Sequence, residues 1–334
     1  MSEANFGELP LAVSLGDPAG IGAEVVAKAW ERRREEGLPP FFAVGDVAAI
    51  EAVWRGPIAV IGEPDDALDY FERALPVIRV TGGSGAPGSP TLEGARNALD
   101  SLEFAVGLTR SGAAAAVVTG PVSKQQLYAI GFSHPGQTEF VAERCGVAAD
   151  SVAMMLAGPT LKVVPVTGHI PFEEVTRALT VERIVTKGRA AIKGLQRQFG
   201  IANPRIAVAG LNPHAGESGA LGREEIEIIA PAIERLAEEG YDLVGPIPPD
   251  IMFHSRKRTG YDAALCMYHD QALIPLKTLH FDEGINITLG LPIVRTSPDH
   301  GTAFDIAGKN LADPGAMIAA IRIGGQAAAR MAAA

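Results

Sequence analysis

Short runs of consecutive apolar residues alternate along the chain with longer stretches in which apolar positions recur every three or four residues. The first pattern suits strands buried on both faces, and the second suits helices that bury one stripe. The runs predict strands over 11–15, 41–44, 58–61, 115–119, 152–156, 162–166, 205–209 and 263–268. The periodic stretches predict helices over 21–36, 92–110, 181–199, 223–239 and 314–329. Two of these carry start signals. Thr91 precedes Leu92 with Glu93 in the first turn, and Asp313 precedes Pro314, whose fixed φ suits a first helical position. Strand and helix alternating in this order build βαβ units, so the fold class is α/β with a largely parallel sheet.

Two glycine-rich segments interrupt the pattern. Over 82–90, GGSGAPGSP, the residues Gly83, Gly85 and Gly88 satisfy GxGxxG in form. A dinucleotide fingerprint must close a strand and open its helix directly, whereas Pro87 and Pro90 intervene here, so the tract reads as a surface loop. The segment 16–22, GDPAGIG, does follow a strand and open a helix, where backbone amides can receive an anion. Its glycine spacing is neither that of a Rossmann motif nor that of a P-loop.

Length then sets the scale: 334 residues is about twice a common domain of roughly 100–200 residues, which predicts two domains flanking a cleft. A net charge of -10 disfavours a nucleic-acid or anionic-membrane surface, so any phosphate bound is small and locally cradled. The first nine residues lack a basic segment followed by an apolar one, and no run reaches the roughly 18 apolar residues of a membrane span; a cytoplasmic protein is expected. Cys145 and Cys266 are far apart and outside any CxxC spacing, so they read as buried apolar residues.

Chemistry concentrates after the strands. His169, His214 and His269 each follow a predicted strand, in VVPVTGH, IAVAGLNPH and AALCMYH. Ligands of open α/β sheets bind at the carboxyl ends of strands, so three imidazoles so placed can converge on a divalent metal with open positions. Asp270 adjoins His269, Glu217 follows His214, and Asp250 closes PIPPD; carboxylates beside metal-bound imidazoles orient them or serve as ligands. Glu217 reads equally well as a helix-entry charge. Lys277, Asn286 and Arg295 sit in apolar runs and together suit a phosphate or carboxylate, with a buried structural ion pair as the alternative. The segment 299–308, DHGTAFDIAG, has small residues that let a ligand approach the backbone.

Taken together, seven blocks in order resemble the 4-hydroxythreonine-4-phosphate dehydrogenase (PdxA) family over essentially the whole chain: SLGDPAGIGAEV, VTGPVSK, GQTEF, VTGHIP, GLNPHAGE, MYHDQALIPLK and NITLGLPIVRTSPDHGTAFDIAG. The resemblance implies an isocitrate/isopropylmalate dehydrogenase-like fold, with a discontinuous nucleotide-binding domain (1–125 plus 290–334) and a metal, substrate and dimerisation domain (126–289). It implies that His169, His214 and His269 bind one divalent metal ion (Zn, Mg or Co) shared between the subunits of a homodimer. Substrate contacts fall on Gln137, Thr138, Lys277, Asn286 and Arg295, and Gln137 stands where the family has a histidine. DHGTAFDIAG resembles a nucleotide loop, placing NAD or NADP contacts on His300, Gly301, Thr302 and Asp305. The implied reaction is NAD(P)-linked oxidation of 4-phosphohydroxy-L-threonine, with decarboxylation to 3-amino-2-oxopropyl phosphate, in pyridoxal phosphate biosynthesis. For the general base, Asp270 and a metal-bound water stand as alternatives.

Overall fold

The structure is a computed structural model describing residues 8–80 and 85–333. Gly82, Gly83 and Ser84 of the glycine tract lie outside the described residues, as do 1–7. Twelve strands occur among the described residues: β1 (Leu11–Ser14), β2 (Phe41–Gly45), β3 (Ile58–Ile61), β4 (Leu75–Arg79), β5 (Val117–Thr119), β6 (Ala153–Ala157), β7 (Lys162–Pro165), β8 (Arg205–Ala209), β9 (Asp242–Ile247), β10 (Ala263–Cys266), β11 (Ile285–Leu289) and β12 (Arg295–Pro298). The chain is α/β, as its alternation predicts.

The chain forms two compact units, Met1–Gly146 with Pro292–Ala334, and Val147–Leu291. The division falls after Gly146 and not after residue 125 because the helix Gln137–Arg144 packs into the first unit. Its Phe140 and Val141 are buried, and Arg144 Nε donates to Glu103 Oε1 at 2.7 Å on the helix Leu92–Arg110. Gln137 and Thr138 therefore belong with the first unit.

In the first unit the strand order is β3-β4-β2-β1-β5-β12, all parallel. β1 and β2 are apolar almost throughout and buried along their whole length, as strands covered on both faces must be. The helix Leu92–Arg110 starts where its cap predicts: Thr91 Oγ1 accepts from Gly94 N at 3.0 Å. Asp313 acts similarly, accepting from Gly315 N at 2.7 Å ahead of the helix Gly315–Ala332.

In the second unit the order is β11-β6-β7-β10-β8-β9, with β6 antiparallel to β11 and β7 and the remaining pairs parallel. β10 lies between β7 and β8, pairing Leu265 with both Val164 and Val208. Those side chains are completely buried, so Leu265→Ala would cost roughly 2–5 kcal/mol through the cavity it leaves. The carboxyl ends of β7, β10 and β8 consequently lie side by side. No described helix is long and apolar enough to cross a membrane. Cys266 is buried, whereas Cys145 is only partly so.

Candidate active site

Backbone pairing between β7 and β10 runs past the strands themselves. Val166 N donates to Cys266 O at 2.7 Å, and the Thr167 hydroxyl donates to Met267 O at 2.8 Å. Two residues further on, His169 and His269 emerge together with ring centroids 5.2 Å apart. They line a cavity of about 200 Å³ with Thr167, Tyr268, Asp270 and the apolar Ile170, Phe172 and Val175. His269 opens the helix His269–Leu279, and its Nδ1 lies 2.7 Å from Asp270 Oδ1. An ionised carboxylate only accepts, so this contact fixes the Nδ1–H tautomer and leaves Nε2 as a lone-pair donor. Burial, then the charge of Asp270, then Cys266, pushes the Tyr268 phenol above its usual range, so it lines the cavity as a neutral hydroxyl.

His214, at the end of neighbouring β8, is held differently. Five successive residues are left-handed: His214 (φ 54), Ala215 (φ 51), Gly216 (φ 78), Glu217 (φ 43) and Ser218 (φ 56). Left-handed backbone costs a non-glycine residue roughly 1–2 kcal/mol, and such runs are rare for L-residues. Leu221 N to Gly216 O at 3.1 Å and Ala220 N to Glu217 O at 3.2 Å close the turn. His214 and Glu217 are exposed and line no part of the cavity beside His169 and His269. Asp250, in the short helix Pro249–Met252, is also exposed and outside it. Among the described residues no group of three or more His, Cys, Asp or Glu side chains gathers closely enough to hold a metal. One chain thus brings together two of the three predicted histidines.

Gln271, which sequence gave no reason to single out, ties these strand ends together. Its Oε1 accepts from Met267 N at 2.6 Å and its Nε2 donates to Gly210 O at 2.7 Å, bridging the end of β10 to the end of β8. The only local signal is a polar residue, buried to 7% exposure, in the first turn of an otherwise apolar helix face.

In the first unit, Arg295 opens β12 with its side chain 3% exposed. Its Nη2 donates to Thr119 Oγ1 at 2.7 Å and to Gln137 Oε1 at 3.1 Å. Burial pushes the guanidinium down to about 10, against the opposing charge of Glu139, and it stays protonated at neutral pH. Gln137 Nε2 donates to Gly120 O at 3.0 Å, and because only the amide nitrogen can donate there, Oε1 must face the arginine. Thr138 follows in the same helix, partly buried. Lys277 and Asn286 belong to the second unit. Lys277 Nζ lies 6.0 Å from the Phe281 ring, and Asn286 Oδ1 on β11 is buried without a hydrogen-bond partner among the described residues. An orphaned amide oxygen of this kind suits a ligand donor.

The DHGTAFDIAG loop packs on the GDPAGIG turn within the first unit. Ile21 N donates to Thr302 O at 3.0 Å, Gly20 N to Asp17 O at 2.9 Å and Ala19 N to Asp17 Oδ1 at 3.0 Å. The amides of Ala19, Gly20 and Ile21 in that turn are therefore already occupied. The glycines serve close packing instead: a Cβ on Gly22 would stand 1.9 Å from Leu15 O. His300 Nε2 is buried with no partner among the described residues, while a Cβ on Gly301 would meet nothing within 4 Å. Thr302 is partly buried and Asp305 exposed.

Comparison with known proteins decides the family. The family described as pyridoxal phosphate biosynthetic protein PdxA matches residues 39–324. The chain belongs to the PdxA family. A 4-hydroxythreonine-4-phosphate dehydrogenase of Zymomonas mobilis is 55% identical over 93% of each chain. A solved structure of the enzyme of that name from Klebsiella pneumoniae is 36% identical with a TM-score of 0.84, over 96% of this chain and 99% of that one. A terephthalate 1,2-cis-dihydrodiol dehydrogenase from Burkholderia xenovorans is 29% identical with a TM-score of 0.65, over 95% and 97%.

For a PdxA-family chain the donor chemistry fits a divalent ion. Two neighbouring imidazoles with ring centroids 5.2 Å apart, one already oriented by a carboxylate, offer nitrogen donors of the kind a divalent ion takes. The orphaned His300 Nε2 and the open backbone at Gly301 fit a nucleotide in the same way.

Proposed function

We propose that the chain oxidises 4-phosphohydroxy-L-threonine with NAD or NADP to 2-amino-3-oxo-4-(phosphooxy)butanoate, in pyridoxal phosphate biosynthesis. The observation that carries this reading is the 55% identity, along nearly the whole chain, to a protein named for that activity. Bound NAD or NADP would supply the acceptor for the hydride of the carbinol carbon, and the hydroxyl proton would leave to a base. The carboxylate of the β-keto acid is then lost as carbon dioxide, and protonation of the adjacent carbon gives 3-amino-2-oxopropyl phosphate.

His169, His214 and His269 would hold a zinc, magnesium or cobalt ion, with the set completed between the two subunits of a homodimer. When bound, the ion acts as a Lewis acid that makes the substrate hydroxyl and the ketone formed from it more reactive. Asp270 keeps the proton on His269 Nδ1 and is the chain's own candidate for accepting the substrate proton. Arg295 and Thr138 of the first unit, and Lys277 and Asn286 of the second, would bind anionic and polar groups of the substrate and so orient it for reaction. His300, Gly301, Thr302 and Asp305 receive the nucleotide.

Absorbance of reduced nicotinamide, followed with this substrate before and after chelation, tests the reading. Turnover that needs substrate, nucleotide and metal is expected, and full activity after exhaustive chelation would refute the metal's part. A second reading, dehydrogenation of a dihydrodiol carboxylate or a phosphorylated four-carbon sugar acid, draws support from Gln137 and from the likeness to the dihydrodiol dehydrogenase. Relative kcat/KM on the two substrate types separates them.

A further inference from the structure

We infer that Glu225 is a positioning residue: it holds the left-handed turn that carries His214 and thereby sets the affinity of the site for a divalent cation. The second half of this statement rests on the metal reading above. Strained backbone persists only where its surroundings over-determine it, so a run of left-handed residues calls for a holder. Glu225 is 3% exposed and begins the π-helical turn Glu225–Ile229, a local widening that recurs near functional sites. Its Oε1 accepts from Leu211 N at 2.8 Å and Asn212 N at 2.7 Å, and its Oε2 accepts from Asn212 Nδ2 at 3.0 Å. Those donors are the residues through which β8 passes into the turn.

The turn also lies directly against the carboxylate. A Cβ on Gly216, at φ +78, would stand 2.6 Å from Glu225 Oε2, and one on Gly210 would stand 3.2 Å from Oε1. Gly216 therefore meets two demands at once, the backbone conformation and the space. A carboxylate only accepts, so its three bonds fix the direction of two backbone amides and of the Asn212 side chain together. Asn212 Nδ2 reaches Glu224 Oε2 as well, at 2.7 Å, which locks the orientation of the amide. The entry to the His214 turn is thus set by a group that is itself no ligand candidate.

The test compares full-length wild type, Glu225→Ala, Glu225→Gln and His214→Ala by Co²⁺ titration calorimetry and by hydrogen–deuterium exchange over 211–218 without metal. In Glu225→Ala, exchange over 211–218 should rise at least about tenfold, and Co²⁺ affinity should fall roughly 10–100-fold, as for partners behind a metal ligand. Glu225→Gln keeps an oxygen for the two backbone amides but sets an NH₂ against Asn212 Nδ2, so it should fall between wild type and Glu225→Ala. It also decides the matter if Glu225→Ala does not fold. Adding Glu225→Ala to His214→Ala should lower Co²⁺ affinity no further, because both act through one ligand. Unchanged exchange, or faster exchange with unchanged Co²⁺ affinity, overturns the inference alone. Wild type that binds no Co²⁺ overturns both the metal reading and this inference.

Discussion

At the histidine end of the second unit His169 and His214 stand exposed on left-handed backbone, whereas in the arginine corner of the first unit the side chain is buried and its backbone is ordinary strand. His214 owes its position to the shape of a turn, and that shape to neighbours such as Glu225 and Gly216. Arg295 owes its position to side chains that meet its guanidinium, Thr119 and Gln137. Exposed groups held by backbone can be deleted with little loss of fold and much loss of chemistry. A buried group held by side chains couples the two, because removing one partner leaves the other desolvated and unpaired.

The largest effects should follow from deletion at the histidine end. His169→Ala or His269→Ala should lower turnover by more than about a hundredfold, since even outer-shell partners of a metal cost roughly 10–100-fold. Circular dichroism should show an unchanged fold, and a variant with near-normal turnover would drop out of the ligand set. Because His169 and His269 meet within one chain, mixing these two inactive proteins should restore no activity, whereas mixing His169→Ala with His214→Ala should restore part of it if the partner subunit supplies His214. In the arginine corner, Arg295→Lys should raise KM for 4-phosphohydroxy-L-threonine about tenfold or more. An ammonium is a compact point charge and cannot meet Thr119, Gln137 and a ligand in one plane. An unchanged KM would remove Arg295 from the substrate contacts.

Substitution of Gln137 should act more weakly and can be graded. Gln137→Ala leaves an Arg295 N–H and the Gly120 carbonyl unpaired, an effect of about 1–3 kcal/mol visible in kcat/KM. Gln137→His should change kcat/KM by less than about tenfold at pH 8. Its efficiency should fall more steeply than that of wild type as pH drops through about 6.5, where a protonated imidazole would face the guanidinium. A rise of about a hundredfold in Gln137→His would favour the other substrate reading.

The smallest effect concerns a buried charge without an arginine's partners. Burial raises the Asp17 carboxyl above its ordinary 3.8, against the lowering contribution of the Ala19 amide. A raised folded value means that stability is fully present below the unfolded value and is lost as pH rises through the folded one. Asp17→Asn keeps an acceptor for Ala19 N and should raise Tm at pH 7, with the gain gone below the unfolded value. Equal Tm shifts at both pH values would contradict this.

Much of this architecture was legible in the sequence, and the illegible parts share a physical cause. The eight strands read from apolar runs all exist, but β4, β9, β11 and β12 escape the pattern. Pro76 enters β4 just before its pairing with β2 begins at Val77, and Pro246 lies in β9 at the end of the strand order, where a missing N–H is tolerated. Asn286 and Arg295 drew attention as polar residues in apolar runs, which hid that both sit in strands. The strand-end histidines could be found because their placement is local to each strand. Gln271, Glu225 and Thr119 could not, because each acts on a residue brought near only by the fold. PHAGESG carries Gly216 and Gly219 as its sole hints of left-handed backbone, and two glycines are ordinary in any loop.

The first unit is interrupted in sequence by the whole of Val147–Leu291, and this sets a schedule for synthesis. β5 has β12 as a parallel neighbour, and the helix Gly315–Ala332 covers β12, β5 and β1. At ribosomal rates of about 5–20 residues per second, β5 waits roughly ten to thirty seconds for that neighbour. Throughout that interval Val117 and Val118 present a bare, apolar strand edge, the kind of surface that recruits other chains. Overexpression should therefore lose material to aggregation during translation, and co-production of a holdase chaperone should recover soluble chain without altering the Tm of the finished protein.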